Sequence, residues 1–139
     1  MEIRIGNHTE YLDIKDIIPE GQELRYNSRS VEYLRGTLGL KANGVKSDIR
    51  VSFMIGEIKQ LGVDLQRLYD SLNHEFVFAN LEDNVEVRFT PTPNGQIEMK
   101  GYLRNDDYSV KIDFKIVTDQ TFLPGTINQI KDALTFKSV

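Results

Sequence analysis

The chain has 139 residues, of which 40% are hydrophobic and 27% are charged, and its formal net charge at pH 7 is −4. This size and balance are those of one globular unit with its own core, so the sequence predicts a single domain over residues 1–139. The acidic balance argues against nucleic acid and anionic membranes as partners, because both are bound through basic surfaces.

Several kinds of chemistry are excluded by composition. The chain has no cysteine, which removes disulfides and thiolate metal sites. Its two histidines, His8 and His74, have no acid or histidine at the spacing of a metal-binding helix motif. No apolar run approaches the roughly 20 residues of a membrane helix, and the first five residues do not form a signal peptide. We therefore expect a cytoplasmic protein with no metal and no cofactor.

Alternation of apolar and charged residues predicts strands at the start of the chain, over residues 3–5 and 12–14. The segment Pro19-Glu20-Gly21-Gln22 ends this pattern. The polar residues 21–30 are then predicted to form a loop.

A hairpin and a helix are predicted next. Two alternating segments, 31–41 and 45–55, flank Asn43-Gly44, a pair that tolerates the positive φ angles of a tight turn. The apolar period then changes to that of a helix of about four turns with one buried face. That face consists of Ile58, Leu61, Leu65, Leu68 and Leu72.

Four more strands are predicted between residues 76 and 116. They contain Phe76 to Phe78, Val85 to Phe89, Ile97 to Leu103 and Val110 to Ile116. Each of the last three has one apolar face and one charged face of mixed sign, which is typical of an antiparallel meander with a solvated side.

A second amphipathic helix closes the chain, with Pro124 suited to its first turn. The order strands, helix, strands, helix predicts an α+β fold. We expect a twisted, partly rolled antiparallel sheet of seven or eight strands, covered on one face by two helices.

No catalytic motif is present. The chain has no phosphate-binding glycine loop followed by Lys-Ser or Lys-Thr, and no serine in a Gly-x-Ser-x-Gly elbow. A pair of catalytic carboxylates stays open as an alternative, because its spacing is set in three dimensions. We expect no catalytic residues.

One surface is a candidate for binding a partner. In a meander, the first and third turns lie at the same end of the sheet, and here they are 82–84 and 105–107. Four carboxylates would gather there on what we call the acidic rim. Acidic residues also suit turns for purely structural reasons, so turn chemistry is the competing explanation. The acidic rim consists of Glu82, Asp83, Asp106 and Asp107.

The last two thirds of the chain resemble a known family. The segments are Phe53-Met54-Ile55-Gly56-Glu57 with the following helix, residues 95–103, residues 110–116, and Asp119-Gln120-Thr121-Phe122-Leu123-Pro124 with the final helix. Their order over residues 45–136 resembles the WapI-type immunity proteins of bacterial polymorphic-toxin systems. The resemblance implies a non-enzymatic protein that binds and blocks the toxic C-terminal domain of a cognate secreted toxin. It supplies no toxin-contact residues.

The main hypothesis is therefore an immunity-type inhibitor whose partner is a basic toxin domain. The alternative is a small-molecule or carbohydrate-binding domain that uses the concave mouth of the sheet, with Tyr26, Tyr33 and Tyr102 as contact platforms. A small enzyme with paired carboxylates and a structural or self-associating module are further alternatives. The sequence does not specify an oligomeric state.

Overall fold

A computed structural model describes residues 1–20 and 33–136 of the chain. Eight strands and two α-helices follow in the order four strands, helix, four strands, helix within these residues. The α+β class, the number of strands and the two helices confirm the prediction from sequence. The predicted loop over 21–30, with Tyr26, and the first two residues of the strand predicted over 31–41 lie outside the described residues.

The first sheet is an antiparallel meander of four strands in the order β1-β2-β3-β4. Strands β3 and β4 are joined by Asn43-Gly44, whose φ angles of 50° and 80° confirm the tight hairpin turn. The strands are β1 Ile3–Gly6, β2 Tyr11–Glu20, β3 Tyr33–Ala42 and β4 Val45–Met54.

The second sheet repeats this plan with the order β5-β6-β7-β8. Its strands pair antiparallel throughout, with Val87 of β6 opposite Gly101 of β7 and Gly101 opposite Phe114 of β8. The strands are β5 Phe76–Ala79, β6 Val85–Pro91, β7 Gln96–Arg104 and β8 Lys111–Asp119.

The two helices pack against each other. Helix α1 spans Ile55–Ser71 and α2 spans Leu123–Phe136, preceded by a 3-10 turn. A Cβ on Gly62 of α1 would lie 3.2 Å from Ile130 of α2, so the missing side chain allows the close contact. The aliphatic face of α1 and the inner faces of both sheets form one hydrophobic cluster.

Several element boundaries differ from the prediction: β8 begins at Lys111 rather than Val110, Leu72 caps α1 rather than lying within it, and two further differences have a local cause. Pro19 lies inside β2, where it pairs with Leu34 of β3. Strand β1 pairs with β2 only as far as Ile14, so a proline beyond that point removes no ladder hydrogen bond on the outer side. Ile55 begins α1 rather than ending β4, because the Glu57 carboxylate accepts a hydrogen bond from the Met54 amide at 2.8 Å and caps the helix.

The sheets are open, and the edges formed by β1 and β8 approach each other. The Asn7 side chain after β1 donates to the Val117 carbonyl of β8 at 2.8 Å, and Thr118 of β8 donates to the Gly6 carbonyl at 2.6 Å. The opposite edges, β4 and β5, are connected through α1 and through the Asn80 side chain after β5, which donates to the Ser52 carbonyl of β4 at 3.2 Å. Neither helix of the described residues is long and apolar enough to cross a bilayer.

Candidate partner-binding surface

The turns β5–β6 and β7–β8 lie at the same end of the second sheet, as predicted. The Tyr108 hydroxyl in the second turn donates to the Glu82 carbonyl in the first turn at 2.6 Å. The Asn84 side chain donates to the Asp106 carboxylate at 3.3 Å. These bonds connect the two turns that carry the acidic rim.

A pair of buried asparagines fixes this end of the sheet. The Asn80 side chain accepts a hydrogen bond from the Asn84 backbone amide at 2.8 Å. It also donates to the side-chain oxygen of Asn84 at 3.1 Å. Asn84 also donates to the Arg104 backbone carbonyl at 3.0 Å, and Asn80 donates to the Ser52 carbonyl of β4 at 3.2 Å. Because both residues are buried and bonded, they hold the turns in one conformation.

Asp83 is the most engaged carboxylate of the acidic rim. Its two oxygens accept from the Tyr102 hydroxyl and from the Arg104 guanidinium, the latter at 2.9 Å. The hydrogen bond to Asp83, followed by partial burial, raises the pKa of Tyr102 to about 12. Asp83 takes a positive φ of 60°, which is characteristic of the turn. This carboxylate is therefore tied to the second sheet.

Glu82 and Asp106 face a shallow pocket of about 190 Å³. Arg35 and Arg50 of the first sheet line the same pocket. The structure thus brings two of the predicted carboxylates together and adds two guanidinium groups that the sequence did not place there. The surface carries both charges rather than a uniform negative potential.

Asp107 is an exposed member of the acidic rim. Hydrogen bonds from the Ser109 side chain and backbone lower the pKa of Asp107, so this carboxylate keeps its charge well into acid. The backbone bond measures 3.0 Å and closes a local turn. Asp107 consequently has both a turn role and a free carboxylate face.

Sequence reasoning missed the arginines and Tyr108 of this surface, and it considered Tyr102 only for the alternative ligand-binding function. Arg104 lies 5.2 Å from the centre of the Tyr102 ring and 5.3 Å from that of Tyr108, within cation–π distance. The alternation in β7 identified Arg104 only as an outward residue. Arg35 and Arg50 are outward residues of a different sheet, and no local pattern brings them to this end.

The alternative ligand platforms do not converge. Tyr33 lines a cleft of about 250 Å³ with Glu57 and Leu81, whereas Tyr102 lies on the outer face of the second sheet beside Asp83. Tyr26 lies outside the described residues. No group of three metal-ligating side chains occurs in the described ranges 1–20 and 33–136.

A second carboxylate pair lies on the first sheet. Oxygens of Asp13 and Asp48 lie 2.3 Å and 2.9 Å from where a Cβ on Gly39 would be, so both occupy the space that this glycine leaves. Burial raises the pKa of Asp13. Arg4 approaches Asp13 at 3.7 Å, and Lys15 binds Asp48 at 3.0 Å. Both carboxylates are thus paired with cations, as in a structural ion-pair network.

Comparison with protein families gives one match that covers nearly all of the chain. The profile of the immunity protein WapI-like family matches residues 6–136. The match begins well before residue 45, so it includes the first sheet as well as the segments that carried the resemblance. No curated protein matches the sequence significantly.

Three plant proteins are among the solved structures with a similar fold. The plant transcriptional regulator PBF-2 is 12% identical with a TM-score of 0.51, covering 96% of this chain and 80% of that one. WHY1 and WHY3 from Arabidopsis thaliana are each 16% identical to this chain, with TM-scores of 0.50 and 0.51. Each alignment covers 96% of this chain, and it covers 88% of the WHY1 chain and 86% of the WHY3 chain. At such identities the likeness establishes the arrangement of strands and helices alone.

Proposed function

Because this chain belongs to the immunity protein WapI-like family, we propose that it binds and neutralises the toxic C-terminal domain of a cognate secreted toxin. The match over residues 6–136 is the observation that carries this proposal. The protein acts stoichiometrically, by covering the active site or substrate channel of the toxin. It performs no catalysis of its own and needs no cofactor.

The acidic rim with its arginines is the proposed contact surface. Its carboxylates complement a basic toxin domain, and complementary charge accelerates association and selects the partner. Arginine and tyrosine are also the residues that most often dominate binding energy at interfaces. Arg104 with Tyr102 and Tyr108 supplies both types beside the carboxylates. The buried asparagine pair keeps these groups ordered before binding, which lowers the entropy cost of association.

A co-expression experiment tests the proposal. The toxin domain encoded immediately upstream is expressed in a sensitive host with and without this protein. The test variant reverses two carboxylates of the acidic rim, Glu82→Lys with Asp106→Lys. The matched control makes the same charge change on exposed helix residues, Asp70→Lys with Asp132→Lys.

We expect wild type and control to restore growth, and the rim variant to bind the purified toxin domain about tenfold more weakly or worse. Equal protection by both variants would show that the interface lies outside the acidic rim. Failure of the wild-type protein to protect against its neighbouring toxin refutes the immunity role.

A further inference from the structure

Strand β5 has an edge that no described strand covers. It pairs only with β6, through partners such as Phe78 and Val87. The Asn80 amide donates to the Val85 carbonyl at 3.4 Å, which identifies that pair as hydrogen-bonded. In an antiparallel ladder, hydrogen-bonded and non-bonded pairs alternate. Phe78 therefore directs its backbone groups toward β6, while Val77 and Ala79 direct theirs toward the open edge.

The other sheet edges carry protection that β5 lacks. At the β1 edge, the Arg4 amide donates to the Gln129 side chain of α2 at 2.8 Å. The edge of β8 is covered at the Val117 carbonyl by Asn7. Strand β4 carries charged outward residues, a common defence against edge pairing. By contrast, β5 reads Phe-Val-Phe-Ala, with no charge and no proline, and Val77 is 43% exposed.

A groove runs beside this open edge. It has a volume of about 540 Å³ and lies between β5, the end of β4 and the first turns of α1. Its lining is predominantly apolar. Apolar lining residues include Met54, Ile55, Leu61, Val77, Phe78 and Ala79.

The charges around the groove are mostly negative. Glu57 and Asp64 line it together with a single base, Lys59. Glu57 and Met54 also line the adjoining cleft that reaches Glu82, so the groove is continuous with the acidic rim. An extended segment with basic residues complements this path, whereas a second copy of the chain brings carboxylates against carboxylates.

We propose that β5 is the docking edge for an extended segment of the cognate toxin. The segment adds as a further strand, bonded to the outward amides and carbonyls of Val77 and Ala79. Its alternate side chains are apolar and enter the groove, and its basic side chains lie beside Glu57, Asp64 and Glu82. Strand addition obtains affinity from main-chain bonds and specificity from such side-chain pockets. This inference rests on the proposed function and specifies how the toxin is held.

Proline substitution tests the edge directly. Val77→Pro and Ala79→Pro each remove one outward N–H and leave the bonds between β5 and β6 in place, the position in which sheets tolerate proline. The matched controls Val77→Thr and Ala79→Ser change the side chain and keep the N–H. Binding of the purified upstream toxin domain is measured by titration calorimetry, and folding of each variant by circular dichroism.

We expect each proline to weaken binding about tenfold, the double variant about a hundredfold, and the controls to bind like wild type. Hydrogen exchange of the wild-type protein gives an independent readout that survives a folding failure of the variants. The amides of Val77 and Ala79 exchange rapidly in the free protein and slow down in the complex.

The outcomes separate the two proposals. Unchanged binding by folded proline variants, or unchanged exchange at both amides on toxin binding, overturns the edge while leaving the immunity role in place. A wild-type dimer whose two amides are already protected without toxin also overturns it, because a second copy then occupies the edge. Absence of any binding between wild type and toxin refutes the proposed function itself.

Discussion

Truncation of Asn84, the buried asparagine at the base of the acidic rim, is expected to cost more stability than truncation of Asn105, a half-buried asparagine in the neighbouring turn. The Asn84 side chain makes three hydrogen bonds, with Asn80 at 3.1 Å, the Arg104 carbonyl at 3.0 Å and Asp106 at 3.3 Å. Each contributes about 1 kcal/mol net. Asn80 keeps its bond to the Ser52 carbonyl when Asn84 is truncated, which limits the loss. We expect Asn84→Ala to lower the free energy of unfolding by about 2–3 kcal/mol.

The matched control is Asn105→Ala in the neighbouring turn. Asn105 makes two hydrogen bonds, to Ser109 at 3.1 Å and from the Val110 amide at 2.9 Å, but water replaces them on the exposed turn. Its truncation is expected to cost about 1 kcal/mol or less. Urea denaturation followed by circular dichroism measures both. Equal losses for the two variants would refute the reasoning, since Asn84 is buried and makes one more hydrogen bond than Asn105.

Three further predictions concern the second and first sheets. Gly101→Ala places a Cβ 1.9 Å from a carbonyl oxygen of β6 and is expected to lower the free energy of unfolding by about 2–4 kcal/mol in urea denaturation. Gly125→Ala, whose Cβ has nothing within 4 Å, is expected to be neutral or stabilising by up to about 1 kcal/mol. Similar values for the two variants would contradict this prediction. The hydrogen bond to Asp83 raises the pKa of Tyr102 from 10.0 to about 12, so the folded state keeps the phenol proton longer and stability falls as pH rises between these values. Asp83→Asn is expected to return the titration of the Tyr102 phenolate absorbance toward 10.0. An unchanged titration curve would show that Asp83 does not cause the shift. Burial raises the pKa of Asp13 above 3.8, so this residue makes stability fall as pH rises from 3.8 through the raised pKa. Asp13→Asn is expected to remove that part of the dependence of the urea midpoint on pH. The same pH dependence in the variant and the wild-type protein would contradict this prediction.

The proposed docking edge and the acidic rim meet at the turn that follows β5. Glu57 connects them, because its carboxylate accepts from the Met54 amide at 2.8 Å and from the Leu81 amide. Burial raises the pKa of Glu57, although these two amide bonds act in the opposite direction. This one side chain therefore caps α1 and anchors the chain between β5 and the acidic rim. A toxin segment that reaches Glu82 along the groove contacts both surfaces.

Local sequence patterns were sufficient for the elements. Alternation identified the strands because a half-buried sheet repeats every two residues, and the leucine spacing identified α1 because a helix repeats every 3.6 residues. Asn43-Gly44 identified its turn because these residues tolerate a positive φ. At the start of the last helical segment, the Asp119 carboxylate accepts from the Thr121 amide at 2.8 Å and caps the 3-10 turn that precedes α2.

The acidic rim was predictable in position but not in composition. A meander brings alternate turns to the same end, so the carboxylates follow from strand order alone. Arg35 and Arg50 line the same pocket as Glu82 and Asp106 only because the first sheet packs beside the second. The pocket brings together residues far apart in the chain, and no periodicity encodes this arrangement.

The sequence by itself thus determined the α+β class, the strands and helices, and the resemblance to immunity proteins, because each depends on local periodicity or on the order of segments along the chain. The tertiary structure alone decided that the strands form two four-stranded sheets, that guanidinium groups accompany the acidic rim, and that Val77 and Ala79 face an open edge. Which strands end without a neighbour depends on how the two sheets and α1 pack together. That packing arises from contacts between distant residues, which alternation along one strand cannot reveal.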